Sequence, residues 1–474
     1  MSWQRGLVRL VFAVVFGAGA LFVLAPDGDF PWQNWLGQTI LATHRIPRTL
    51  GTETFTAVGA PWVPQEWLYG LAAHVVWSGA GYPLFALLIA ACAFAALILV
   101  ERRCASRGVR GTALALCVGL AGISMLESFG ARAQVAAWPL LAALLVLLDD
   151  EGWRLWLVLP LTALWSNVHA SVVIAPCVVL LDAAGRWLET RSLTPAIGRR
   201  FVLAGGVGMA TWVNPFGWGL DAYAIELFRS PIARTIQEWR PANLQDLSLV
   251  AGALPLALLA FLGLRSRLLT LREIPLAAVF LVLAFAHVRN VPLAGIALAP
   301  LAGAWLMQRW PSGAGRQTEA AARTTVLSRI AVAMSALLVV AVVLRARHVT
   351  PERVAPRATL TYLERERSPH RLLCEDFSWC SAAIGKPGVR VFVDSRCDPY
   401  PVPVWNDYLT IVGVAPHWRA RLNAWNVNTV IARRDGRFAR ALARSSDWRL
   451  VRRDARYVLY ERVIARSAVA RAGN

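Results

Sequence analysis

Stretches of mostly apolar residues recur through the first 345 positions, separated by short polar loops. A helix that crosses a bilayer needs about 20 such residues. The pattern predicts about eleven spans, near 7–24, 82–100, 112–126, 135–148, 155–168, 172–184, 201–213, 247–264, 274–286, 291–307 and 330–344. Several are short, and 155–168 with 172–184 also reads as one bent pair. The first is either an uncleaved anchor or a signal peptide ending at Ala25. Its apolar run exceeds the usual signal-peptide length of about 7–15 residues, which favours the anchor. Beyond Arg345 the pattern shifts to short runs, with strands expected at 390–394, 428–432 and 457–461 and helices at 359–367 and 438–444. The expected organisation is a transmembrane domain over 1–345, with a large first outer loop at 26–81, followed by a soluble extracytoplasmic α/β domain over 346–474.

Composition supports the membrane reading. Of 474 residues, 57% are hydrophobic and only 16% charged, with a mean hydropathy of +0.48. A soluble domain carries about 25% charge, so a wholly soluble chain is excluded, as are disordered, collagenous and disulfide-scaffold classes. The net charge of +20 does not point to nucleic acid. Lys386 is the only lysine, and many arginines sit in short runs between apolar stretches, as orientation signals do. With eleven spans the clusters at Arg5/Arg9, Arg102–Arg110, Arg186–Arg200, Arg265–Arg272 and Arg309–Arg329 all fall on one side. The positive-inside rule makes that side the cytoplasm. The N-terminus is then inside and the C-terminal domain outside.

The outer loops hold most of the polar groups close to spans. Asp27 and Asp29 directly follow the first span. A carboxylate at that depth loses hydration and becomes a better base; the alternative is a pair of solvated loop acids or a helix cap. Glu66 precedes an amphipathic run, as a second candidate base or as an acid favoured by a helix N-terminus. Arg132 and Arg289 lie on outer loops against the charge trend. They suit a phosphate by bidentate hydrogen bonding, or make ordinary headgroup contacts. His169, with Asn167, closes a short outer turn and is either a structural residue or part of a site.

Of the 21 tryptophans, Trp32, Trp35, Trp62, Trp67, Trp77, Trp165, Trp212, Trp218 and Trp239 fall near the outer face, as an aromatic belt or, in part, as rings that stack on sugar faces. Asp394 and Asp398 flank Arg396, either as an ion-pair lock holding the C-terminal domain onto the membrane part or as a strand-end site. Cys374 and Cys380 are close enough in sequence to close a small disulfide loop in an oxidising compartment, with Cys397 left over or as the true partner of one of them. No cysteine pair has metal-site spacing, and no nucleotide-binding or hydrolase motif occurs.

Taken in order, these segments resemble a family of bacterial multi-pass proteins related to the GT-C glycosyltransferases. The matching pieces are Asp27-x-Asp29-x-x-Trp32, Ile46-Pro47, Phe55-Thr56-Ala57, Glu66-Trp67-Leu68, Arg132-x-Gln134, Trp165-x-Asn167-x-His169, Asn214-Pro215-x-Gly217, Glu238-Trp239-x-Pro241, Arg289 and Phe392-x-Asp394-x-Arg396-x-Asp398-x-Tyr400. The resemblance implies a GT-C-like helical membrane fold in a bacterial inner membrane, acting in the cell envelope. It implies inverting transfer of a sugar from a polyprenyl-phosphate donor to a glycan, lipid or protein acceptor. Asp29, Asp27 and Glu66 are the catalytic candidates. Trp32, Arg132, Gln134, Asn167, His169, Asn214, Glu238 and Arg289 are the substrate-binding ones. No metal or other cofactor is expected. The chain departs from the family pattern at Gln33 and Gln65, where histidine is common, and Glu53 stands out of register with the acid that usually follows Ile-Pro. A second reading is a non-catalytic envelope assembly partner of the same fold. A transporter is disfavoured by the lack of paired broken spans.

Overall fold

The computed structural model describes residues 28–232, 235–309, 356–366 and 368–463. The expected spans at 7–24 and 330–344, and Asp27, lie outside the described residues. The chain forms two compact units, one of Met1–Ala25 with Gln65–Val349, the other of Pro26–Pro64 with Thr350–Asn474. Helix α1, Phe30–Thr43, belongs to the second unit and is described with it.

The first unit is helical. It comprises α2 (Trp67–Ser106), α3 (Gly111–Met125), α4 (Ala133–Leu148), α5 (Val158–Val168), α6 (Ile174–Thr190), α7 (Pro195–Ala210), α8 (Gly219–Arg229), α9 (Leu254–Arg265), α10 (Ile274–Ala286) and α11 (Val291–Arg309). Every expected span within the described residues coincides with one of these helices. By length and composition, four described segments can cross a membrane: Pro83–Ser106, Gly111–Ser128, Ala170–Thr190 and Val288–Arg309. Helix α2 breaks at Gly81, whose φ of 74° is open to glycine, and Pro83 removes a backbone donor just beyond. The break separates the run after Glu66 from the spanning part.

The helix ends sort into two sets. At one end, Asp149 accepts from Arg103 at 2.9 Å and Arg107 at 3.2 Å, and Arg107 reaches Glu273 at 3.1 Å. Asp182 accepts from Arg200 at 2.7 Å, Arg186 at 3.0 Å and Arg272 at 3.3 Å. Arginines from three separate connections, with Asp149 from a fourth, thus share one ion-pair network, the convergence that alternating spans require. Arg200 is fully buried and also donates to the carbonyls of Leu148 and Asp150 at 3.0 Å each. At the other end, close packing brings α3 against α11 and the π-turn Leu249–Ala253. A Cβ on Gly252 would lie 2.5 Å from the Ser124 backbone nitrogen, so only glycine fits there. Glu127 accepts from the Leu247 and Ser248 amides at 3.1 and 3.0 Å, which satisfies donors at the start of that turn.

The second unit carries a five-stranded sheet of order β2-β1-β3-β5-β4, with β1 His370–Cys374, β2 Val389–Val391, β3 Thr429–Arg433, β4 Trp448–Arg453 and β5 Tyr457–Arg462. Strand β1 runs parallel to β2 and β3; β5 is antiparallel to β3 and β4. Leu372, Leu373, Val391, Phe392, Val430, Ile431 and Leu459 are buried in its core. The segment around Thr54 adds to the β2 edge. Val391 N–H donates to Glu53 O at 2.8 Å, and Phe55 N–H donates to Val391 O at 3.2 Å. The loop expected to belong to the transmembrane domain therefore packs, over Pro26–Pro64, with the C-terminal segment. Cys374 and Cys380 form a disulfide, and Cys397 is a buried free thiol.

Candidate functional site

Within the first unit, the candidates gather at the end of the helices opposite the arginine network. Glu66 stands at the entry to α2 and is 8% exposed. The Gln65 side-chain amide donates to Glu66 Oε1 at 2.9 Å and accepts from the Ala170 N–H at 2.7 Å. His169 Nε2 lies 3.7 Å from the same Glu66 oxygen. The Ser171 N–H donates to His169 Nδ1 at 3.0 Å, so Nδ1 is the acceptor and the neutral ring carries its proton on Nε2. The Ser171 hydroxyl accepts from Trp165 Nε1 at 3.0 Å and stands 2.8 Å from Nδ1. Burial, and secondarily the charge of Arg289, push His169 down to about 3. The imidazole is therefore neutral at ordinary pH, and its contact with Glu66 is not an ion pair.

Two guanidiniums complete this end. Arg132 stands at the start of α4 and pairs with Glu238. Next to Glu238, the Trp239 ring lies under Arg289, 4.8 Å from guanidinium carbon to centroid. The backbone carbonyl of Trp239 meets His287 Nδ1 at 2.6 Å. Gln134 donates to the Arg289 carbonyl at 2.6 Å. Three loops are thus tied together, with Arg132 at the start of α4 and Arg289 over Trp239, two groups that suit an anion.

Other expected binding residues serve as ties. Asn167 accepts from Trp67 Nε1 at 3.1 Å and donates to Ala163 O and Val213 O at 2.8 and 2.7 Å. Asn214 donates to Thr211 O at 2.6 Å and accepts from the Phe216 N–H at 2.7 Å, closing the turn that ends at Gly217. Sequence reasoning missed the roles of Gln65 and Ser171. Each acts through a partner that spacing does not reveal, Ala170 for the first and the His169 tautomer for the second.

In the second unit, Asp29 precedes α1. Trp32 Nε1 donates to Asp29 Oδ1 at 3.4 Å, and the Gln33 N–H donates to the Asp29 carbonyl at 3.1 Å. The Trp32 ring is only 7% exposed and packs edge-on against Trp62, with centroids 6.2 Å apart. Beside the sugar-stacking role expected of it, Trp32 offers an N–H to Asp29. Ser395 donates to Gly28 O at 3.0 Å, fixing the approach to α1.

Asp394 accepts from Arg396 Nε at 2.9 Å and Nη2 at 2.7 Å and from the Tyr400 hydroxyl at 2.5 Å. Arg396 also reaches Glu53 at 3.0 Å and faces Trp62, 4.7 Å from its centroid. This arrangement is an ion-pair lock between the first loop and the C-terminal segment. It absorbs Glu53 as a partner of Arg396. Among the described residues, no group of three or more histidine, cysteine or acidic side chains is gathered to hold a metal ion.

No protein-family model and no curated protein matches the sequence. The fold does match solved structures. The archaeal oligosaccharyltransferase AglB from Archaeoglobus fulgidus, in complex with an inhibitory peptide and a dolichol-phosphate, is 11% identical with a TM-score of 0.55; the match covers 90% of this chain and 69% of that one. ArnT from Cupriavidus metallidurans bound to undecaprenyl phosphate is 13% identical, with a TM-score of 0.53 and 96% of both chains covered. Its apo state gives 15% identity and 0.54, over 95% and 96%. The GT-C-type fold implied by the sequence resemblance is thus the fold of these structural neighbours, and the spanning-length helices are those of a membrane protein.

Proposed function

We propose that the chain is a glycosyltransferase of the bacterial inner membrane that moves a sugar from a polyprenyl-phosphate donor to an extracytoplasmic acceptor with inversion. The observation that carries this reading is that Arg132, bound to Glu238, and Arg289, over the neighbouring Trp239, stand on linked loops at the same end of the helical unit as Glu66 and a neutral His169. Its support from the fold is that ArnT is bound to undecaprenyl phosphate and AglB to a dolichol-phosphate. The N-terminus is then cytoplasmic, and the C-terminal segment faces outward.

The acceptor oxygen forms a bond to the anomeric carbon while the carbon–oxygen bond to phosphate breaks. The bonding pair leaves on the phosphate oxygen, and the hydroxyl proton passes to Asp29, the first-loop carboxylate. The leaving phosphate needs charge stabilisation rather than a proton, which is the task of Arg132 and Arg289. Gln134 and Glu238 hold those two arginines, and Asn167 and Asn214 hold the loops around them.

Native mass spectrometry of the protein with polyprenyl monophosphate tests the binding half of this reading. The wild type should bind the phosphate but not the corresponding alcohol. Arg132→Ala and Arg289→Ala should each weaken binding at least about tenfold, since a hydrogen bond to a charged group contributes about 1.5–3 kcal/mol. Equal binding of the alcohol contradicts the assignment.

A further inference from the structure

We propose that Gln65 is a positioning residue, which ties Glu66 to the start of the turn at Ala170–Val173 and holds its carboxylate as a fixed, ionised hydrogen-bond acceptor. The orientation of the Gln65 amide is decided by chemistry. The Ala170 N–H at 2.7 Å requires the amide oxygen on that side, so the NH2 group must face Glu66 Oε1 at 2.9 Å. His169 also faces that oxygen, and its Nδ1 is taken by the Ser171 N–H. Its Nε2 therefore also presents a proton, 3.7 Å away. Gln65 and His169 thus each present an N–H to Oε1. Donors to the charged form favour that form, even at a buried carboxylate.

Glu66 is therefore built to accept a hydrogen bond and is ill suited to donate a proton. In the sugar-transfer reading, on which this last step rests, it holds a substrate hydroxyl. The tie between Gln65 and Glu66 does not depend on that reading.

Labelling with a membrane-soluble carbodiimide tests the proposal. This reagent attacks protonated carboxyls, and peptide mass spectrometry of the full-length protein reads the rate at Glu66 across a pH series. Gln65→Leu removes the donor and should raise the rate at neutral pH at least about tenfold, the equivalent of one pKa unit. Gln65→Glu, which sets a like charge beside Glu66, should do the same and serves if the leucine variant does not fold. Gln65→His should label at the wild-type rate at neutral pH, since a neutral imidazole offers one donor and one acceptor. It should depart from that rate only where its own ring titrates. Wild-type labelling rates in Gln65→Leu or Gln65→Glu overturn the proposal. Sugar transfer by the wild type is measured separately. Its absence removes the substrate role and leaves the labelling result to decide the tie.

Discussion

Asp29→Asn should fold, insert and bind the lipid-linked donor, yet transfer sugar about a hundred- to ten-thousand-fold more slowly, the usual cost of losing a general base. The substitution isolates the chemistry. Asparagine is as good as aspartate at the start of a helix, so α1 keeps its N-terminal residue. Its side-chain carbonyl can still accept from Trp32 Nε1, which now meets Asp29 Oδ1 at 3.4 Å. Only the basic oxygen is lost. The fall should therefore appear equally in kcat and in kcat/KM, the signature of an interaction made only in the transition state. Asp27→Asn should be milder. If the single and double variants all transfer at the wild-type rate, neither first-loop carboxylate is the base and Glu66 is next in line.

Asp394→Ala should open the second unit, at a cost of about 3–5 kcal/mol, because it leaves Arg396 buried with one carboxylate instead of two. Asp394 is fully buried, Arg396 is 3% exposed, and Glu53 alone would remain to meet the guanidinium. Hydrogen exchange is the suitable readout, since a chain of two units need not unfold in one step. Amides of β1 and β3, and of Phe55 and Val391, should exchange about a hundred- to several-thousand-fold faster, each tenfold corresponding to about 1.4 kcal/mol. Removing both charges, in Asp394→Leu with Arg396→Met, should recover part of the protection, because no buried charge is then left unpaired. Unchanged exchange in Asp394→Ala would mean that the pair is not structural.

The two ends of the helical unit were legible because they follow from alternation. Once spans are placed, Arg103, Arg107, Arg186, Arg200 and Arg272 must share one side, and Asp149 and Asp182 bring them together. The ion-pair lock at Asp394 was legible as one of two options, since a close Asp-x-Arg spacing at a strand end allows both. Glu53 was not, because its partner Arg396 lies 343 positions away and spacing within one chain carries no such information. Strand β1 was missed because His370–Cys374 is a short, nearly continuous buried run without alternation. Strand β4 was missed because arginines fill three of the four exposed positions of an edge strand, where charge guards against aggregation and weakens the strand signal. Trp32 was legible as a neighbour of Asp29, whereas its packing against Trp62 is a tertiary property that sequence position does not encode.

The measurement that bears most directly on the central claim is a transfer assay on the purified full-length protein in lipid nanodiscs. It uses a panel of polyprenyl-phosphate sugars with envelope glycans and lipids as acceptors. Sugar should appear on an acceptor with inverted anomeric configuration, one polyprenyl phosphate should be released per sugar moved, and nucleotide sugars should not replace the donor. Binding of polyprenyl phosphate without transfer from any donor would contradict the account and favour a non-catalytic assembly partner with the same fold.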